Sequence, residues 1–154
     1  KGEVKLGLVE ETKRIKEVHP NYILLFKSGE FYKAFGKDAY ILSNLFGYKI
    51  KMVKDNVATC GFPLSSIYKV RARIEEKSIN YMLIDPRNNY DIDTKEDFRN
   101  LNEYDKQFEK AYANTKCKNK IQNIADRLDM LVEKPNFKEI IRKVEDILDE
   151  AGEI

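Results

Sequence analysis

Tyr22-Ile23-Leu24-Leu25-Phe26-Lys27-Ser28-Gly29-Glu30-Phe31-Tyr32-Lys33-Ala34-Phe35-Gly36 reads as two strands joined by a two-residue turn. Tyr22–Phe26 is a short continuous apolar run, the pattern of a buried strand. Gly29 reaches positive φ without a Cβ clash, so Gly29-Glu30 can reverse the chain. Phe31–Phe35 then alternates, with Phe31, Lys33 and Phe35 on one face and Tyr32 and Ala34 on the other. Phe31 lies one residue past the turn, where a side chain is least covered, and Lys27 and Lys33 stand beside it. Such a tip suits a ring that stacks on a ligand carrying charge. The same pattern also fits an ordinary core phenylalanine.

Outward from the hairpin, residues 3–18 form an amphipathic helix with Val4, Leu8, Ile15 and Val18 inward. Pro20 ends it and leaves His19 as a helix-end or packing residue. Residues 37–46 read as a second helix, with Ala39, Leu42, Leu45 and Phe46 inward and Gly47 as its left-handed stop. Residues 48–54 alternate apolar and basic, a half-buried strand with Lys49 and Lys51 on its solvent face and Lys54 near the turn at Asp55-Asn56. A return strand covers residues 57–60. After Gly61-Phe62-Pro63, Ser65 or Ser66 caps a helix over residues 67–77, whose buried stripe is Ile67, Val70 and Ile74. Residues 80–85 make a last strand closed by Pro86. Strands interleaved with helices make a mixed α/β (α+β) sandwich.

His19-Pro20, the strand Tyr22–Phe26, Gly29-Glu30-Phe31-Tyr32 with Phe35, Lys37-Asp38-Ala39, and Cys60-Gly61-Phe62-Pro63 keep an order and spacing, down to Tyr81–Asp85, that resemble the N-terminal mismatch-recognition domain (domain I) of MutS DNA-repair proteins. The resemblance covers roughly residues 5–86 and implies a small mixed sheet flanked by helices. In that family a Phe-x-Glu motif enters the minor groove: the Phe wedges against the mispaired base and the Glu hydrogen-bonds it. Phe31 matches the wedge, but Lys33 occupies the glutamate's position. The region of Lys51 and Lys54 lies near the DNA backbone in the family, which adds these two as secondary candidates. The expected nucleic-acid-binding set is therefore Phe31, Lys33, Lys27, Lys51 and Lys54. Mismatched, bulged or distorted DNA, or an RNA–DNA hybrid, is the implied ligand.

The first domain is expected to span residues 1–86, followed over 87–154 by a polar linker (Arg87–Asp91) and a helical tail. Asp93 or Thr94 would cap a helix carrying Phe98, Leu101, Tyr104 (or Asp105), Phe108 and Tyr112 inward, then Ile121, Ile124, Leu128 and Leu131. Unbroken to Glu133 it would run on the order of 60 Å. Whether residues 114–119 interrupt it stays open. Asn136 starts a further helix with Ile140, Ile141, Val144, Ile147 and Leu148 on one side. These stripes need covering by the first domain, by each other or by another protomer.

Composition sets the remaining bounds. With 42% hydrophobic and 35% charged residues the chain is a folded globular protein. No apolar window is long enough to span a membrane, and no charged-then-apolar signal segment is present. The net charge of +2 is uneven: residues 1–85 hold 15 basic against 10 acidic groups, residues 86–154 hold 13 against 16. The excess of cations sits in the half that carries the motif. Two distant cysteines and one histidine match no metal spacing and fit a reduced, cytoplasmic setting. Gly36-Lys37 is no phosphate-binding loop, because Asp38 follows it and Phe31 stands where the first glycine belongs. No catalytic constellation is legible, so the chain is expected to be a non-enzyme without cofactors. The alternative reading is an accessory or adaptor protein that uses this fold and its helical tail to engage another protein. The resemblance suggests a reverse transcriptase of a diversity-generating retroelement as one such partner.

Overall fold

The computed structural model describes the backbone of residues 2–152 and the side chains of residues 7–152; the expectation for Val4 lies outside the described side chains. The chain divides into two units, Lys1–Thr115 and Lys116–Ile154.

The first unit is built on a six-stranded mixed sheet in the order β3-β4-β2-β1-β5-β6. Its centre is β1 (Ile23–Ser28) and β5 (Tyr81–Asp85), which run parallel, while every other neighbouring pair is antiparallel. Both central strands are continuous apolar runs because both faces of each are covered. Ile23, Leu25, Tyr81 and Leu83 turn to one face, against α2 (Lys37–Phe46) and α3 (Ile67–Glu76). Leu24, Phe26, Met82 and Ile84 turn to the other, under Leu8, Val9 and Ile15 of α1 (Gly2–Val18). The fold is thus a mixed α+β sandwich followed by C-terminal helices.

The two-residue hairpin forms as expected. Ser28 pairs with Phe31 across Gly29-Glu30, and Gly29 sits at φ 60°, as a tight loop with glycine in its first central position requires. The second strand of the hairpin, β2 (Phe31–Phe35), pairs antiparallel on its other side with β4 (Val57–Pro63). Gly47 closes α2 at φ 77°, its N–H bonding the carbonyl of Ser43.

Four expectations change. Val18 is 72% exposed, because at 100° per residue it lies well outside the arc defined by Leu8, Thr12 and Ile15. Strand β3 is only Lys51–Val53, and a 3-10 turn over Lys54–Asn56 with Asp55 and Asn56 at positive φ leads back into β4. Neither Ser65 nor Ser66 caps α3 with its side chain; both lie in a 3-10 turn, Leu64–Ser66, that runs directly into the helix. Finally, Asp93 and Thr94 do not start a helix. They belong to β6 (Asp91–Glu96), which pairs with β5, and α4 begins only at Glu103. β6 reads Asp-Ile-Asp-Thr-Lys-Glu, a charged edge strand of the kind that discourages further strand pairing.

A buried carboxylate joins these layers. Asp38, in the first turn of α2, is fully buried. It accepts from the Leu24 N–H at 3.0 Å, from Lys16 Nζ at 2.7 Å and from the Tyr104 hydroxyl. β2 pairs with β1 only up to Phe26–Lys33, so the Leu24 N–H on that side meets no strand, and Asp38 takes its place. Lys16 also donates to the Tyr22 carbonyl and to the Tyr104 oxygen, which uses all three of its protons. Burial lowers the Lys16 pKa, and Asp38 opposes that shift. Through Tyr104 the first turns of α4 are part of this unit; Ala111 is fully buried, and Phe108 and Tyr112, stacked on each other, pack edge-on against Tyr40.

In the second unit α4 continues unbroken to Asp129, and α5 (Phe137–Gly152) follows a short connection. The Asn136 carbonyl accepts the first α5 bond, from Ile140. Leu128, Leu131, Phe137, Ile140, Ile141 and Val144 are half-buried, whereas Ile121, Ile124, Ile147 and Leu148 are exposed.

Two outcomes follow from the buried groups. Asp38→Ala strands the Lys16 ammonium without a counter-charge and should cost about 3–5 kcal/mol in urea unfolding; a loss below about 1 kcal/mol would show that the carboxylate does not hold the layers together. The second outcome concerns alkali. Burial pushes the Cys60 thiol up to about 12, and holds the Tyr22 and Tyr81 hydroxyls at about 12 with help from Asp97 and Glu75. Tyr104 is raised by burial and then by Asp38. All four are neutral when protonated, so their contribution is complete below the unfolded values of 9.0 for cysteine and 10.0 for tyrosine and is lost as pH climbs toward 12. Tyr32 and Tyr48, also raised by burial, act with them, and Lys16, shifted down from 10.5, works in the opposite sense. The unfolding midpoint should fall between pH 9 and 12, most steeply above 10, and a flat profile across that window would contradict the assignment.

Candidate nucleic-acid interface

One face of the sheet is only partly covered by α1. Along β2 the burial falls off residue by residue on that face: Phe35 is buried, Lys33 half-buried, and Phe31 is 48% exposed. Register places Phe35 beside Thr59, Lys33 beside Gly61 and Phe31 beside Pro63, while Lys51 of β3 flanks Thr59 from the far side. A groove of about 400 Å³ results, with Phe31, Lys33, Lys49 and Lys51 around a floor of Phe35, Thr59 and Gly61.

Gly61 keeps that floor low. A Cβ there would stand 3.1 Å from the Tyr32 carbonyl oxygen and 3.6 Å from Cγ of Lys33. The hairpin tip is anchored from below, because the Leu64 N–H donates to the Glu30 carbonyl at 3.0 Å. Three lysines and an exposed ring share this concavity, with no carboxylate among its described lining residues. The chemistry available is attraction of an anion and stacking of a flat group.

Of the five residues singled out from sequence, Phe31, Lys33 and Lys51 come together here. Lys27 does not. It pairs with Tyr32, on the face opposite Phe31, and its charge joins Arg87, the main cause, in holding Asp85 below the usual carboxylate range. Lys54 lies in the 3-10 turn beyond β3 and does not line the groove. Lys49 does line it and stood outside the singled-out set. The signal for it was the Lys49/Lys51 alternation, which put both on one solvent face.

His19 packs edge-on against Tyr22, and burial lowers its pKa. Cys60 is buried and Cys117 exposed; both are free thiols. Among the described residues no group of three His, Cys, Asp or Glu side chains is placed to hold a metal ion, and no helix is long and apolar enough to cross a membrane.

Comparison with known proteins places the chain in a family. The family model for MutS domain I matches residues 7–85, just over half of the chain. The DNA mismatch repair protein MutS of Rickettsia rickettsii is 26% identical over 106 residues, covering 66% of this chain and 11% of that protein. The protein of the same name from Fusobacterium nucleatum is 33% identical over 84 residues, covering 51% of this chain and 9% of its own length. The chain therefore spans about a tenth of the length of the curated relatives it matches. The family match, which runs from α1 through β5, carries one conclusion: the chain belongs to the MutS domain I family.

Proposed function

We propose that this protein is a non-catalytic nucleic-acid-binding module that recognises a base already loosened from its stack. The observation that carries the reading is Phe31, half exposed in one groove with Lys33, Lys49 and Lys51. The ring supplies a stacking surface, and the lysines hold the flanking phosphates. Mismatched, bulged or otherwise distorted duplex DNA is the ligand class, with an RNA–DNA hybrid as the variant to be compared. Lys33 offers only donors, where the glutamate of the Phe-x-Glu motif offers an acceptor. It therefore contacts a phosphate, or a minor-groove acceptor such as N3 or O2, and general affinity is kept while mismatch discrimination is weak.

Fluorescence titrations at low salt against mismatched, bulged, paired and hybrid duplexes test this. Phe31→Ala should weaken binding to the distorted duplexes by roughly five- to a hundredfold and leave the paired duplex little changed. Equal effects on all duplexes, or none, would remove the stacking role. Because Phe31 is half exposed, its replacement should leave the unfolding midpoint near that of the parent.

Lys33→Glu should lower affinity for every duplex. Lys49→Gln and Lys51→Gln should each reduce the slope of log affinity against log salt by about 0.9, one phosphate contact apiece. An unchanged slope in both would place the backbone elsewhere.

A further inference from the structure

The second unit carries an apolar stripe that its own helices do not cover. On α5, Phe137, Ile140, Ile141, Val144, Ile147 and Leu148 occupy an arc of about 120° at 100° per residue. The first four are half-buried, but Ile147 and Leu148 are 65% and 64% exposed. On α4, Ile121 and Ile124 remain 65% and 53% exposed. A stripe of this width on a water-facing helix is what a helical bundle buries.

The charges on α5 indicate what covers it. The first half, residues 137–144, holds Lys138, Arg142 and Lys143 against Glu139, a net +2; the second, residues 145–152, holds Glu145, Asp146, Asp149 and Glu150, a net −4. Of these, Lys138 and Lys143 flank the stripe in its first half and Glu145 and Glu150 in its second, so its edges change sign along the helix, while Glu139, Arg142, Asp146 and Asp149 lie on the opposite side. We infer that α5 is a self-association surface, pairing antiparallel with α5 of a second copy of this chain. A two-fold contact uses one patch twice, so a patch whose halves complement each other is complementary to itself. Antiparallel pairing sets the basic half of one helix against the acidic half of its partner and opposes the two helix dipoles favourably. It also brings the exposed Ile147 and Leu148 of one copy toward Ile140 and Ile141 of the other. Parallel pairing would set like charge against like. Nucleic acid is disfavoured as the occupant by the carboxylates of Glu145 and Glu150 flanking Ile147 and Leu148.

Sedimentation equilibrium of the full chain without nucleic acid tests this, and its readout does not depend on the base-stacking role. The expected particle has twice the 18.1 kDa chain mass. Ile147→Glu with Leu148→Glu should raise the dimer Kd by more than about a hundredfold while leaving the urea midpoint of the first unit unchanged. Lys138→Glu and Lys143→Glu together should give a monomer. So should Glu145→Lys and Glu150→Lys together. Mixing these two charge-reversed chains should restore a particle of dimer mass. A monomer at every concentration overturns the proposal, as does a dimer indifferent to Ile147 and Leu148. Charge-reversed chains that fail to rescue each other also overturn it, and a doubled mass that appears only when another protein is added would assign the stripe to that protein instead.

Discussion

A fully buried carboxylate has to be matched by donors, and Asp38 draws its three from three different elements. Lys16 comes from α1, the Leu24 amide from the central strand, and the Tyr104 hydroxyl from α4. None of these elements can shift by a residue without leaving a charge or an amide unsatisfied in the interior. The network thereby fixes where β1 enters the sheet. That entry point sets the hairpin register, Phe26 against Lys33 and Ser28 against Phe31. Because strand side chains alternate, a slip of one residue would move Phe31 and Lys33 to the face packed by α2 and α3. The candidate site thus inherits its geometry from a polar network just past the other end of β2, around Asp38.

The groove is a continuation of the core rather than a separate addition. Phe35, Lys33 and Phe31 lie on one face of one strand, and what separates them is the extent of α1 above. Where the helix covers the sheet, the residues are Leu24, Phe26 and Phe35. Where it does not, the same face carries lysines, a threonine, a glycine and one aromatic ring. An exposed phenylalanine among lysines costs apolar surface left in water and contributes nothing evident to folding. On the proposed reading, that ring is kept out of the core, with cations gathered around it, to meet a ligand.

Most of the first unit was legible because strong periodicity coincided with simple burial. The runs Ile23–Phe26 and Tyr81–Ile84, the Gly29 turn and the Gly47 helix stop each carry a local physical signal that tertiary contacts reinforced. The failures have equally local causes. Asp91–Glu96 has poor strand propensity and gains its conformation from the open edge of β5, which no window of sequence displays. Lys27 seemed adjacent to Phe31 because the two are close in sequence, yet across a hairpin the register decides which face a residue takes. Asp38 gave no hint of its burial, since an acidic residue in the first turn of a helix already has a sufficient local explanation in the helix dipole. The Asp38–Tyr104 bond joins residues far apart in sequence and is visible only in three dimensions.

Energetics decide how such a groove would select its ligand. Stacking one base on an aromatic ring contributes about 1–3 kcal/mol. Opening an intact base step costs a few kcal/mol, so a single Phe31 cannot make room for itself in sound duplex. The step must already be weakened, and the preference for it then equals the opening cost that the nucleic acid has spared. A glutamate at position 33 would sit among Lys49 and Lys51, reduce the positive field there, and offer a base-specific acceptor. Lysine at that position does the reverse: it strengthens the field and supplies only donors, which phosphates satisfy as well as bases do. On the proposed reading, this family member distinguishes nucleic acids by how easily they deform rather than by which bases are mispaired.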